Sequence, residues 1–108
     1  MQIGATVRSP ALATLNGARV IALIRYPDLD GMDPSIAPGV AAPCPGGVTF
    51  PQARKLIHGL VKKGRVVGMD VVEITPRDDV NQITCITAGR LIVNLIGMAV
   101  RAGYFDRR

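Results

Sequence analysis

Two aspartates with one residue between them, Asp28 and Asp30, are the first place where side-chain type and spacing could carry chemistry. In extended backbone, residues i and i+2 point to the same side, so both carboxylates would share one small volume. Carboxylates that close repel each other unless a cation sits between them, and hard oxygen donors suit divalent manganese or magnesium. The same Asp-Leu-Asp-Gly stretch also has the composition of a plain turn. A second candidate is Glu73, the one glutamate of the chain, which follows Val71 and Val72 in a β-branched run. A carboxylate among buried strand residues is costly unless a cation pairs with it. A planar guanidinium or amidinium would do so through two parallel hydrogen bonds, whether it belongs to a substrate or to one of the chain's own arginines.

Composition narrows the chemistry further. With 108 residues the chain is one domain or less, and it holds a single histidine, His58. One histidine and one glutamate exclude zinc-finger, His-Glu-x-x-His and multi-histidine metal sites within one copy. On a helical wheel His58 falls beside Arg54, Lys55 and Lys62 on a polar face, which predicts solvent exposure. Cys44 and Cys85 are far apart and no secretory leader precedes them, which fits free thiols in the cytoplasm. The net charge of +5 comes from dispersed arginines, and 4% aromatic residues leave little for base stacking. No nucleic-acid partner is expected. The longest apolar stretch, residues 91–100, is interrupted by Asn94 and falls short of the roughly 20 residues a bilayer requires, so no membrane span is expected. Residues 1–27 carry Arg8, Arg19 and Arg25 and no acid, a faint likeness to a transit peptide that the strand-like residues 20–24 argue against.

The elements that must position these residues follow from periodicity. Residues 19–24 form a short β-branched run that predicts a strand. Residues 32–47 are dominated by proline and glycine, a loop long enough to be functional. A helix is predicted over 50–63: Thr49 and Gln52 have capping-box spacing, Pro51 lies in the first turn, and Ala53, Leu56, Ile57, Leu60 and Val61 share one face. Lys62, Lys63 and Gly64 mark its end. Residues 66–74 predict a second strand, with Glu73 near its end. Residues 83–101, apolar on nearly all faces, predict a largely buried helix. The order strand, loop, helix, strand, helix argues for an α/β fold with a parallel sheet and right-handed crossovers. Two strands are too few for a sheet covered on both faces, so the chain reads as the end of a larger domain or as a piece completed by association. Ligands of such sheets bind at the C-terminal ends of the strands, where Asp28 and Asp30 lie.

The run from Asp28 through Asp30, Asp33 and Pro34 to Gly39, followed by Gly47, resembles the last signature of the ureohydrolases, the arginase and agmatinase family. Residues 68–76 resemble that family's strand carrying a guanidinium-binding glutamate, and residues 84–92 resemble its final helix. The Ala37-Pro38-Gly39-Val40 form of the loop looks more like bacterial agmatinases than like arginase. The resemblance covers residues 28–101 and implies the C-terminal part of a three-layer α/β/α fold, with residues 1–27 an irregular start. It implies a manganese pair that activates a hydroxide to attack a guanidinium carbon, releasing an amine and urea. By position Asp28 and Asp30 match metal ligands and Glu73 matches the substrate-orienting glutamate, while Asp33 is expected to brace the turn before Pro34. Tyr26 and Pro27 depart from the family pattern, Pro27 by deleting a ladder hydrogen bond, and Cys44 stands where agmatinases often have glutamate. The family's other ligand motifs, of the Gly-Gly-Asp-His-Ser and Asp-Ala-His-x-Asp kinds, do not occur. These residues are therefore expected to act as an agmatinase-like fragment with little activity alone. The alternative is a non-catalytic module that associates with full-length ureohydrolase subunits; a homo-oligomer, or association with the rest of the domain, is expected.

Overall fold

The computed structural model describes residues 21–24 and 28–106. Strand β1 (Ile21–Ile24) pairs in parallel with β2 (Arg65–Met69), and helix α1 (Phe50–Lys63) lies between them in the chain. Helix α2 (Ile83–Arg101) follows and packs on α1. The predicted element order holds. The register runs Ile21 to Arg65, Ala22 to Val66, Leu23 to Gly68 and Ile24 to Met69, so Val67 is the extra residue of a bulge. Residues 1–20 and 25–27, including the departures at Tyr26 and Pro27 and the arginines of the transit-peptide comparison, lie outside the described residues.

Helix α1 forms as its local signals dictate. The Thr49 hydroxyl accepts from the Gln52 amide, and Gln52 Oε1 accepts from the Thr49 amide at 2.9 Å, which satisfies two donors at the helix start. Ala53, Ile57 and Val61, four residues apart, are its buried stripe, and His58 is exposed. Ala53 and Ile57 pack with Leu29, Met32, Ala37, Val40, Ala88 and Leu91 in the main core, while Val61 packs with Val66 in a smaller cluster beside Met98 and Tyr104. Beyond the helix, Tyr104 fastens the start of β2: its hydroxyl accepts from the Val66 amide at 2.8 Å and donates to the Gly64 carbonyl at 3.0 Å. The Arg65 guanidinium covers its ring at 5.1 Å.

Three expectations require correction. The second strand ends at Met69, short of residue 74, and only an isolated parallel bridge between Asp28 and Val72 continues the line. Helix α2 has the predicted bounds but is not largely buried. Thr84, Thr87, Ala88, Leu91 and Ala99 are its buried residues, whereas Ile86, Val93, Ile96 and Val100 are each more than half exposed. Its inner face meets α1 and the 32–47 loop, and no described residue covers its outer face. Finally, α2 is by length and composition apolar enough to cross a membrane, which a count confined to residues 91–100 did not anticipate. The core helix of a compact domain passes the same test, and here its first turns are fixed by side-chain bonds to the loop: Thr84 Oγ1 to Gly39 and Thr87 Oγ1 to Ile36.

Candidate functional site

Asp28 and Asp30 flank Leu29, which is fully buried and acts as the anchor of the segment. Leu29–Gly31 form one 3-10 turn, with the Gly31 amide donating to the Asp28 carbonyl at 3.0 Å. The extended geometry that would have put both carboxylates on one side is therefore absent. Asp30 lies inside the turn, whereas Asp28 precedes it at φ −59° and ψ 110°, so the two do not share one extended segment. Asp28 is exposed and Asp30 half-buried, and neither side chain has a bonding partner among the described residues.

Glu73 is also placed differently from expectation. It lies beyond β2, exposed, in the left-handed backbone region at φ 68°. Solvent removes the need for a buried cationic partner, and no described residue pairs with it. A non-glycine residue rarely adopts this conformation, and the surrounding bonds explain why it persists here. On one side the Leu29 amide donates to the Val72 carbonyl at 3.2 Å. On the other the Thr75 amide donates to the Gly39 carbonyl at 2.7 Å. Glu73 and the half-buried Ile74 thus span the gap between two cross-links, both made to the segment that carries Asp28 and Asp30. All three candidate residues lie past the C-terminal ends of the parallel strands, where open α/β sheets bind ligands.

The proline-rich loop is ordered by its own polar contacts. Asp33 Oδ1 accepts from the Ser35 amide at 2.9 Å and Oδ2 from the Gly46 amide at 2.8 Å, so Asp33 braces the turn as predicted. The Ser35 hydroxyl and these amides hold its carboxyl below the usual range. Gly47 packs against backbone: a Cβ there would lie 2.6 Å from the Met32 carbonyl carbon. Gly39 has the same constraint against Asp79, whose Cα and Cβ would lie 2.9 and 2.6 Å away.

Asp79 is a residue the sequence did not single out. The residue that opens α2, Gln82, is left-handed and makes no side-chain cap. Asp79 replaces it from three positions upstream, accepting from the Thr84 amide at 3.0 Å and the Cys85 amide at 3.1 Å. Loss of solvent pushes the Asp79 carboxyl up, but the Thr84 hydroxyl and the Thr84 and Cys85 amides outweigh it and set the value at about 2. Burial, with Asp79 beside it, pushes the Cys85 thiol up. Cys44 and Cys85 are both free thiols. An aspartate shortly before an apolar helix was the available signal for this cap.

A sequence model of the arginase family matches residues 26–97. This chain belongs to the arginase family. Agmatinase of Chromobacterium violaceum is 45% identical over 69 residues, which are 64% of this chain and 21% of that one. The agmatine ureohydrolase of Thermoplasma volcanium superimposes with a TM-score of 0.63 at 36% identity, over 75% of this chain and 26% of that one. Proclavaminate amidino hydrolase from Streptomyces clavuligerus gives a TM-score of 0.63 at 36% identity, over 69% and 25%. The chain thus spans about a fifth of the length of the curated relatives it matches. Its two strands and two helices are a portion of the α/β arginase fold, and the matched segment takes in Asp28, Asp30 and Glu73.

Proposed function

We propose that this chain is the C-terminal part of an agmatinase-type ureohydrolase, with the family portion extending to residue 108. The observation that supports this is the pair of backbone cross-links, Leu29 to Val72 and Thr75 to Gly39, that ties the segment of Glu73 to that of Asp28 and Asp30, whose side chains and that of Glu73 bond to no described residue. Glu73 would orient the guanidinium of a substrate such as agmatine through paired charge-assisted hydrogen bonds. Asp28 and Asp30 offer hard oxygen donors of the kind manganese accepts. They fit the ion in type but not in number: among the described residues no three histidine, cysteine, aspartate or glutamate side chains converge. When bound, the metal pair would lower the pKa of the attacking water. The remaining donors must come from outside this chain, which on its own should release little or no urea. The reading carries with it a cytoplasmic setting, in which Cys44 and Cys85 stay reduced, and association with the rest of the domain or with further copies.

Titration of the isotope-labelled chain with agmatine, followed at the Glu73 amide, tests the assignment. The expected result is a saturable shift at millimolar agmatine, absent with putrescine, which lacks the guanidinium, and abolished in Glu73→Gln. No response at Glu73, or an equal response to putrescine, would count against it. Stoichiometric manganese together with urea release by the purified chain alone would overturn the view that the site is partial.

The outer face of α2 favours a second reading beside this one. Ile86, Val93, Ile96 and Val100 form an apolar surface of the kind that seeks cover. A module docking on full-length ureohydrolase subunits would use it without doing chemistry. Co-elution with such a subunit in size-exclusion chromatography is the expected result of that reading, and separate elution argues against it.

A further inference from the structure

One chain of hydrogen bonds runs from the start of α2 to the backbone beside Glu73. The Asp79 carboxylate accepts from the Thr84 amide at 3.0 Å. Thr84 Oγ1 in turn accepts from the Gly39 amide at 2.7 Å, in a fully buried position. The Gly39 carbonyl accepts from the Thr75 amide at 2.7 Å. Gly39 lies so close to Asp79 that no side chain fits between them. The other restraint on Glu73, from Leu29 to Val72, is longer, at 3.2 Å.

We propose that Thr84, backed by Asp79, is a positioning residue for Glu73: through Gly39 and Thr75 it holds the left-handed backbone that keeps this carboxylate in register with Asp28 and Asp30. The inference rests on the assignment of Glu73 as the guanidinium-orienting residue. Three features of the geometry support it. First, Thr84 is a fully buried polar residue whose hydroxyl accepts from the Gly39 amide and whose own amide is held by Asp79, and buried polar networks fix one arrangement when their members are satisfied. Second, Glu73 holds a conformation that costs free energy, so it persists only where its neighbours over-determine it. Third, both flanking cross-links are backbone to backbone, but Gly39, which accepts the Thr75 bond, is itself held through its amide by the Thr84 side chain. Thr84 is therefore the point at which a single side-chain change reaches the Glu73 backbone.

The test compares Thr84→Val, which keeps the shape and deletes the hydroxyl, with Thr84→Ser, which keeps the hydroxyl. Amide hydrogen exchange is read at Gly39 and Thr75, with Leu91 in the middle of α2 as the reference for general loosening. In Thr84→Val, exchange at Gly39 and Thr75 should rise at least tenfold more than at Leu91, and Thr84→Ser should restore the slow rates. Agmatine binding at the Glu73 amide should weaken at least fivefold in the valine variant and recover in the serine variant. Should Thr84→Val fail to fold, Asp79→Asn serves, with the same pattern expected at smaller size. Equal acceleration at Thr75 and Leu91, or unchanged exchange at Thr75, would mean that Thr84 only stabilises the helix, and the proposal falls. If the unaltered chain shows no agmatine response at Glu73, the substrate assignment falls, and the exchange pattern still decides whether Thr84 controls the Glu73 backbone.

Discussion

Five of the chain's eight carboxylates, Asp28, Asp30, Asp33, Glu73 and Asp79, divide into two groups with opposite surroundings. Asp33 and Asp79 are saturated by backbone amides: Asp33 closes the loop on itself, and Asp79 caps a helix whose own first residue does not. Asp28, Asp30 and Glu73 accept nothing from the described residues, although they lie only a few residues away in the chain. All but Glu73 are the same residue type, so side-chain chemistry does not separate the groups. Backbone direction does. Amide groups converge on Asp33 and Asp79 because a turn and a helix start leave donors unpaired there. Around Asp28 and Glu73 the donors are already consumed in cross-links between strand ends. Of these five acids the fold has taken up two and left three without a bond to the described residues.

The largest expected effect comes from forcing the two groups apart. In Gly39→Ala the new Cβ would sit within 2.9 Å of Asp79 backbone, which cannot yield as the tip of a flexible side chain would. Overpacking of this kind costs about 1–3 kcal/mol, and urea unfolding should show it directly. The loss should come with faster amide exchange at Thr84 and Cys85, because Asp79 must leave them. An unchanged unfolding midpoint would show that the contact between loop and helix is slack.

Acid should reveal the saturated group next. Asp79 titrates at about 2 in the folded chain against 3.8 for the ordinary group, so the unfolded chain binds its proton first as pH falls. Its stabilising contribution is complete above about pH 4. It is lost as pH drops through the folded value near 2. Asp33 is shifted in the same direction and acts with it. Asp79→Asn should lower the unfolding midpoint at neutral pH and flatten the decline between pH 4 and 2. A decline as steep in the variant as in the parent chain would place the acid sensitivity elsewhere.

The contrast between the groups also explains what could be read from sequence. Helix α1 was legible to the residue because its signals are local: Thr49, Gln52 and Pro51 at the start, apolar residues four apart, Gly64 at the end. The end of β2 was not. Residues 70–74 keep a strand-like composition, yet Glu73 takes left-handed backbone between the two cross-links to Leu29 and Gly39, contacts distant in sequence. Asp28 and Asp30 were singled out by a spacing argument that assumed extended chain, whereas burial of Leu29 between them winds the segment into a turn. The bounds of α2 were readable but its burial was not, since a helix apolar on all sides does not reveal how many neighbours a given portion of the fold supplies. Asp79 escaped notice because its partners, Thr84 and Cys85, lie beyond a residue that itself does not cap.

A smaller effect separates backbone from side chain at Glu73. An L residue in left-handed conformation costs about 1 kcal/mol relative to glycine, so Glu73→Gly should unfold at higher urea than Glu73→Ala by about that amount. Both variants lose the carboxylate, and both should lose the agmatine response. If alanine and glycine prove equal in stability, the backbone at this position relaxes freely, and the two cross-links do not hold it.

The smallest effect is expected from Asp28→Asn and Asp30→Asn. Each keeps the shape of the side chain and removes a charge that no described residue answers, so each should change the unfolding free energy by no more than about 0.5 kcal/mol. If the two carboxylates repel across the turn, the sign should even be slightly stabilising, and more so at low salt, where exposed charges are less screened. Asp30, half-buried, is the more exacting case, because any hidden use of it by the fold would appear as a loss that salt does not touch. A destabilisation well above that size in either variant would move the residue into the group with Asp33 and Asp79. It would then be part of the scaffold, and its lack of partners would no longer point to a metal.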